Sequence, residues 1–175
     1  MPKAKDESRR RYRTEPLARD ALLSGLANFF DFYEEVSATG PNGDNFWFDA
    51  IGVCRDNGWT IGFEVKKSHL FKSEFADSLR QTIHYRHARI TDPRLPNLMG
   101  SSLPAMLLFP DWLGEHDDDS TNYAGEAEGM RLLAAQFRVG TLRKLTVSCL
   151  ENVVWDQYVK KTRNLTSLLR FLENN

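Results

Sequence analysis

Two strand-like runs, Phe46–Cys54 and Trp59–Lys66, flank Arg55-Asp56-Asn57-Gly58, and this arrangement constrains the fold more than any other feature of the chain. Asn and Gly both reach positive φ at little steric cost, as the tight turns of β-hairpins require. A two-residue turn at Asn57-Gly58 sets Asp56 opposite Trp59, Ile51 opposite Glu64 and Asp49 opposite Lys66. Side chains alternate along a strand, so Asp49, Glu64 and Lys66 then share one face of the sheet. Asp49 and Glu64 become diagonal neighbours, about 7–8 Å apart at the backbone. A slip of one residue would turn Asp49 to the opposite face.

The rest of the chain supplies partners for that hairpin. Thr14 or Glu15 begins a helix with Pro16 in its first turn. Ala18, Leu22, Leu26, Phe29, Tyr33 and Val36 recur at helical spacing, which predicts one helix to about residue 37. A turn-rich loop, Ala38 to Asp44, leads into the hairpin. Residues 73–90 read as a second helix with Phe75, Leu79 and Ile83 on one face. Leu103–Phe109 reads as a buried strand ended by Pro110. A helix over 125–137, a strand over 142–150 and a helical remainder breaking near 162–164 complete the chain. The predicted order is α-β-β-α-β-α-β-α, an α/β fold with helices packed on a mixed central sheet. At 175 residues the chain fits one domain, here 15–175, preceded by a flexible basic arm over 1–14.

Charge and cysteine content narrow the setting. Cys54 and Cys149 are the two cysteines, and neither sits in a metal-binding spacing, so both read as reduced, buried thiols. No apolar run approaches the roughly 18–20 residues that span a membrane. No signal-peptide core is visible, and the expectation is a soluble, cytoplasmic protein with no membrane association. The net charge is −1, but its distribution is uneven. Lys3, Lys5, Arg9, Arg10, Arg11 and Arg13 face only Asp6 and Glu7, a balance suited either to phosphate contact or to a solvated tail. The segment Asp111–Glu128 is acidic, and its three successive aspartates, Asp117, Asp118 and Asp119, read as solvated residues of a polar loop.

Carboxylates converging from adjacent strands suit Mg²⁺, a hard cation that takes a few acidic ligands and keeps several waters. Such an ion can activate water and offset the charge that gathers on a phosphodiester during hydrolysis. Lys66 stands near enough to orient a nucleophile or stabilise that charge. By themselves the three residues also suit an exposed sheet face carrying a Glu–Lys pair.

Asp49 followed by Glu64-Val65-Lys66 across a hairpin resembles the PD-(D/E)XK nuclease superfamily, whose motif is an acidic residue on one strand and Glu-x-Lys on the next. Gln81-Thr-Ile-His-Tyr85 resembles the Gln-x-x-x-Tyr element of its helicase-nuclease and lambda-exonuclease-like branch. The likeness spans about residues 15–110, and Phe48 stands where the motif has proline. It implies a restriction-endonuclease-like core and a Mg²⁺-dependent DNA nuclease, with Mn²⁺ able to substitute, acting in recombination, repair or nucleic-acid processing. It further implies catalytic roles for Asp49, Glu64, Lys66, Gln81 and Tyr85. Gln81 and Tyr85, four apart, share a helix face with Asp77, read as turned away from Phe75, Leu79 and Ile83. Metal ligation falls to Asp49 and Glu64, with Glu15 on the first helix as a third acid and Asp20 its competitor. Lys67, His69, Lys72 and Arg80 are the candidates for DNA contact near the cleft. A homo-oligomer or a protein partner in a repair complex is left open. The alternative is a nuclease-like fold kept as a non-catalytic DNA- or protein-binding module.

Overall fold

A computed structural model describes residues 12–56, 58–67, 70, 72–110, 121–143, 146–148 and 162–164. Helix α1 (Glu15–Leu26) starts at Thr14, whose hydroxyl accepts a hydrogen bond from the Leu17 amide at 3.4 Å. This satisfies one of the free N–H groups at the helix start. Ala18, Leu22 and Leu26, one turn apart, are its buried face. Strands β1 (Phe30–Thr39), β2 (Asn45–Cys54) and β3 (Thr60–Val65) form an antiparallel meander. Helix α2 (Lys72–Arg86) and the short strand β4 (Arg89–Ile90) follow. Next come β5 (Met106–Phe109), helix α3 (Thr121–Gln136), β6 (Val139–Arg143), β7 (Thr146–Ser148) and β8 (Thr162–Asn164). The sheet order is β4-β1-β2-β3-β5-β6-β7-β8. The β3–β5 and β5–β6 pairs are parallel and the other pairs antiparallel, so the fold is α/β with a mixed sheet flanked by helices. Among the described residues no helix is long and apolar enough to cross a membrane.

Two apolar clusters hold the layers together. Ala18, Leu22 and Leu26 of α1 pack with Phe30, Ala50, Ile61, Phe63, Val65, Leu107 and Phe109. On the opposite face Phe75 and Leu79 of α2 and Ala134 of α3 pack with Val36, Phe48, Ile51, Met106, Leu108 and Val139. Burying a Phe or Leu side chain stabilises the fold by roughly 1.5–3 kcal/mol. Tyr12, within the segment read as a flexible arm, belongs to the first cluster and meets the Phe109 ring edge-on at 5.3 Å. The packed fold therefore begins by Tyr12; residues 1–11 lie outside the described part.

The largest departure from the sequence reading is at residues 30–37, which are strand where a continuous helix is expected. Phe29, Tyr33 and Val36 fit helical spacing, but Phe30, Phe32, Val36 and Ala38 also fit a period of two. The aromatic and β-branched content suits the strand, and pairing of β1 with both β2 and β4 decides it. The second helix is shorter than expected, ending at Arg86 because β4 adds to the free edge of β1. Strand β5 starts at Met106 rather than Leu103. The single strand expected over 142–150 is instead the antiparallel pair β6–β7, starting at Val139. Residues 162–164 are strand rather than a helix break, and the helices expected on either side lie outside the described residues. Cys54 is a buried free thiol, as expected; Cys149 lies outside the described residues.

Candidate active site

The hairpin forms, with a longer loop than a two-residue turn. Ala50 faces Phe63, Ile51 faces Gly62 and Val53 faces Thr60, a register two residues away from the one expected. Cys54 donates to the Trp59 carbonyl at 2.7 Å, and the Gly58 amide closes the loop on the Cys54 carbonyl at 2.8 Å. Gly58 has φ of 74°, a conformation available to glycine without a Cβ penalty. A shift of two residues equals the pleat repeat, so every side chain within the paired stretch from Ala50 to Val53 keeps its face. Extended one step past Ala50–Phe63, the same register brings Asp49 level with Glu64 instead of diagonal to it.

That extra step is not made by the backbone. The ladder between β2 and β3 stops at Ala50–Phe63, and the Val65 amide donates to Asp49 Oδ2 at 2.7 Å. In a continued antiparallel ladder that amide would meet the Phe48 carbonyl; the Asp49 carboxylate takes its place in the fork. The neighbouring pair explains the opening. Phe30 of β1 and Ala50 and Cys54 of β2 face the α1 cluster, whereas Val36, Ala38, Phe46 and Phe48, of the same parity, face the opposite cluster. Both strands therefore turn over at the level of Glu35 and Asp49, where Glu35 has φ of 50°.

Glu64 lies between Phe63 and Val65, which face α1, so alternation directs it to the α2 side. Its side chain is only 3% exposed, and Lys66 Nζ approaches Oε1 at 2.6 Å. Oε2 is buried without a hydrogen-bond partner among the described residues. Burial, then the charge of Asp49, pushes the Glu64 carboxyl up to about 7, against the pull of Lys66. For Lys66, burial works against the charged form, but Glu64 first, then Asp49 and Glu15, outweigh it and hold the ammonium above its ordinary value. The structure thus brings Asp49, Glu64 and Lys66 together.

Glu15 is exposed at the start of α1, yet its field reaches both Glu64 and Lys66. Asp20 is exposed too and enters no contact with the cluster. Among the described residues no three His, Cys, Asp or Glu side chains converge as a ready metal cluster, so Glu15 does not complete a three-acid set here. The two carboxylates still fit a hard divalent cation. A buried Glu64 oxygen without a partner among the described residues, within the field of the Asp49 charge, is costly unless a cation or a proton meets it.

Arg19 is the residue the sequence reading missed. It follows Ala18 on α1, and its guanidinium lies 3.6 Å from Asp49 Oδ1 and 3.4 Å from Glu35 Oε1. Helical spacing from Glu15 to Arg19 is the only sequence signal for it, because the Asp49 contact depends on how α1 crosses the sheet.

The Gln81–Tyr85 pair exists as a hydrogen bond, Gln81 Nε2 donating to the Tyr85 hydroxyl at 2.7 Å. The Tyr85 ring is not turned away from the apolar side. It stacks on Phe46 at 4.1 Å and meets Phe48 edge-on at 6.2 Å, within the same cluster as Ile83. Ser78 and Thr82 are buried instead, because their hydroxyls return hydrogen bonds to the Glu74 and Ser78 carbonyls. Tyr85 is therefore tied to the strand segment that carries Phe48 and Asp49. Lys67 is exposed, 4.0 Å from Glu74, and Arg80 is exposed beside Asp77 at 3.5 Å. His69 and the Lys72 side chain lie outside the described residues. Neither protein-family models, nor curated proteins, nor solved structures give a match to this chain.

Proposed function

We propose that the chain is a Mg²⁺-dependent nuclease with a restriction-endonuclease-like core, hydrolysing DNA phosphodiester bonds. The observation that carries this reading is the fork between β2 and β3. There Asp49 accepts from the Val65 amide and its charge reaches Glu64, Glu64 Oε2 lacks a hydrogen-bond partner among the described residues, and Lys66 lies against Glu64 Oε1. Asp49 and Glu64 would hold the ion, which supplies Lewis-acid stabilisation of phosphate charge when bound. Lys66, kept protonated by its acidic neighbours, then contributes a fixed positive charge beside the scissile phosphate. Tyr85 and Gln81 support the strand on which Asp49 sits. Incubation with labelled linear, closed circular and branched DNA tests the reading. Cleavage should require Mg²⁺ or Mn²⁺ and vanish in Asp49→Asn; absence of metal-dependent cleavage on all three substrates would sink it. Cleavage of closed circles assigns an endonuclease, and cleavage from ends alone an exonuclease.

One observation favours the second reading, a non-catalytic nuclease-like module that binds DNA or protein. Arg19 already places a positive charge beside Asp49, as in a site that has replaced its ion by a side chain. Failure of the wild-type protein to bind Mn²⁺ would favour this alternative.

A further inference from the structure

Four oxygens are available in the fork, and their partners differ. Asp49 Oδ2 accepts the 2.7 Å bond from Val65, and Glu64 Oε1 takes Lys66 at 2.6 Å. Glu64 Oε2 has no hydrogen-bond partner among the described residues. Among the described residues Asp49 Oδ1 has Arg19 alone, at 3.6 Å, well beyond the roughly 2.7–2.9 Å of a charge-assisted hydrogen bond. The two oxygens open to an incoming cation are therefore Glu64 Oε2 and Asp49 Oδ1, and a side-chain cation stands loosely against the second.

Arg19 also has a second acid within reach. Its other terminal nitrogen is 3.4 Å from Glu35 Oε1, an exposed carboxylate. Arg19 Nε is buried and has no partner among the described residues, so neither carboxylate holds the guanidinium in a paired, two-bond grip. A guanidinium shared between two acids at such distances can move toward one when the other is taken.

The geometry points to Arg19 as a tethered counter-cation that competes with the divalent ion for Asp49, with Glu35 as the acid that receives it when the ion binds. This inference rests on the metal-site reading above and adds to it the residue that sets the affinity of the site. In the absence of the ion, Arg19 offsets the repulsion between Asp49 and Glu64. With the ion present the same charge is repulsive, and its retreat toward Glu35 limits that penalty.

Mn²⁺ affinity, measured by electron paramagnetic resonance and calorimetry on the full chain without DNA, tests this directly. Removing the competing charge in Arg19→Gln should tighten Mn²⁺ binding on the order of tenfold, whereas Arg19→Lys should stay near wild type. Glu35→Gln, at an exposed position that leaves packing intact, should act in the opposite sense and weaken binding several-fold, because Arg19 is then left to Asp49 alone. Wild-type binding with unchanged or weaker affinity in Arg19→Gln, or unchanged affinity in Glu35→Gln, overturns the role of Arg19 while leaving the metal site standing. Absence of Mn²⁺ binding in wild type and all three variants overturns the metal site and this inference with it.

Discussion

Glu64→Gln tests the electrostatics of the fork without any assumption about substrate. Glu64 titrates near 7 in the folded protein, against 4.5 for an ordinary glutamate, because burial and Asp49 disfavour its charge more than Lys66 favours it. Between those values the folded chain binds a proton that the unfolded chain has released. The stability contributed by Glu64 should therefore be fully present below about 4.5 and be lost as pH rises through about 7. A difference of about 2.5 units, at about 1.36 kcal/mol each, corresponds to roughly 3 kcal/mol as an upper bound. Glutamine keeps the size and cannot ionise, so the variant should lack this loss. In metal-free buffer, urea unfolding of both proteins from pH 5 to 8.5 should show wild type losing most of that 3 kcal/mol relative to Glu64→Gln. The corresponding gap in melting temperature at the alkaline end is about 6–12 °C for a domain of this size. Saturating Mg²⁺ should shrink the gap, since a bound cation favours the ionised carboxylate. A stability difference that is flat, or that moves in wild type's favour with rising pH, would refute the argument. It would mean that Lys66, not burial, governs the charge of Glu64.

Other outcomes follow from the same structure. Asp49→Ala and Glu64→Ala should each abolish metal-dependent cleavage, whereas Lys66→Ala should be inactive yet still bind Mn²⁺; wild-type cutting by Lys66→Ala would remove the lysine from the mechanism. Asp92 is buried and accepts from Arg94 and from the Ser37 amide, and its hydrogen bonds to Arg94 first hold its carboxyl far below the usual range. Its stabilisation is thus present above about pH 4 and lost on acidification, and Asp92→Asn should cost roughly 2–3 kcal/mol at neutral pH by urea unfolding. Deleting residues 2–11, which spares buried Tyr12, should weaken duplex binding most at low salt. The log–log salt slope should flatten by about 0.9 for every phosphate that this segment neutralises, and an unchanged slope would show that it neutralises none.

Local chemistry carried a good part of this protein. The hairpin was legible because Asn57-Gly58 separates two strand-like runs, and a register error of two residues left the faces of the paired residues from Ala50 to Val53 unchanged because that is the pleat repeat. Thr14 and the Ala18–Leu22–Leu26 stripe likewise marked the start and the buried face of α1, though not its end at Leu26, without tertiary help. Residues 30–37 were not legible: their apolar spacing satisfies both periods, and only pairing with β2 and β4 selects the strand. Nor does any local pattern encode the turnover at Glu35 and Asp49, which opens the fork and lets a carboxylate replace a backbone acceptor for Val65. The burial that raises Glu64 comes from helices and strands distant in sequence. Arg19 reaches Asp49 across 30 residues only because α1 crosses the sheet at that level. Sequence set the residue types and their alternation, which are properties of neighbours along the chain. Tertiary packing set charge state, partner and reach, because these depend on what is excluded from water and what crosses it in space.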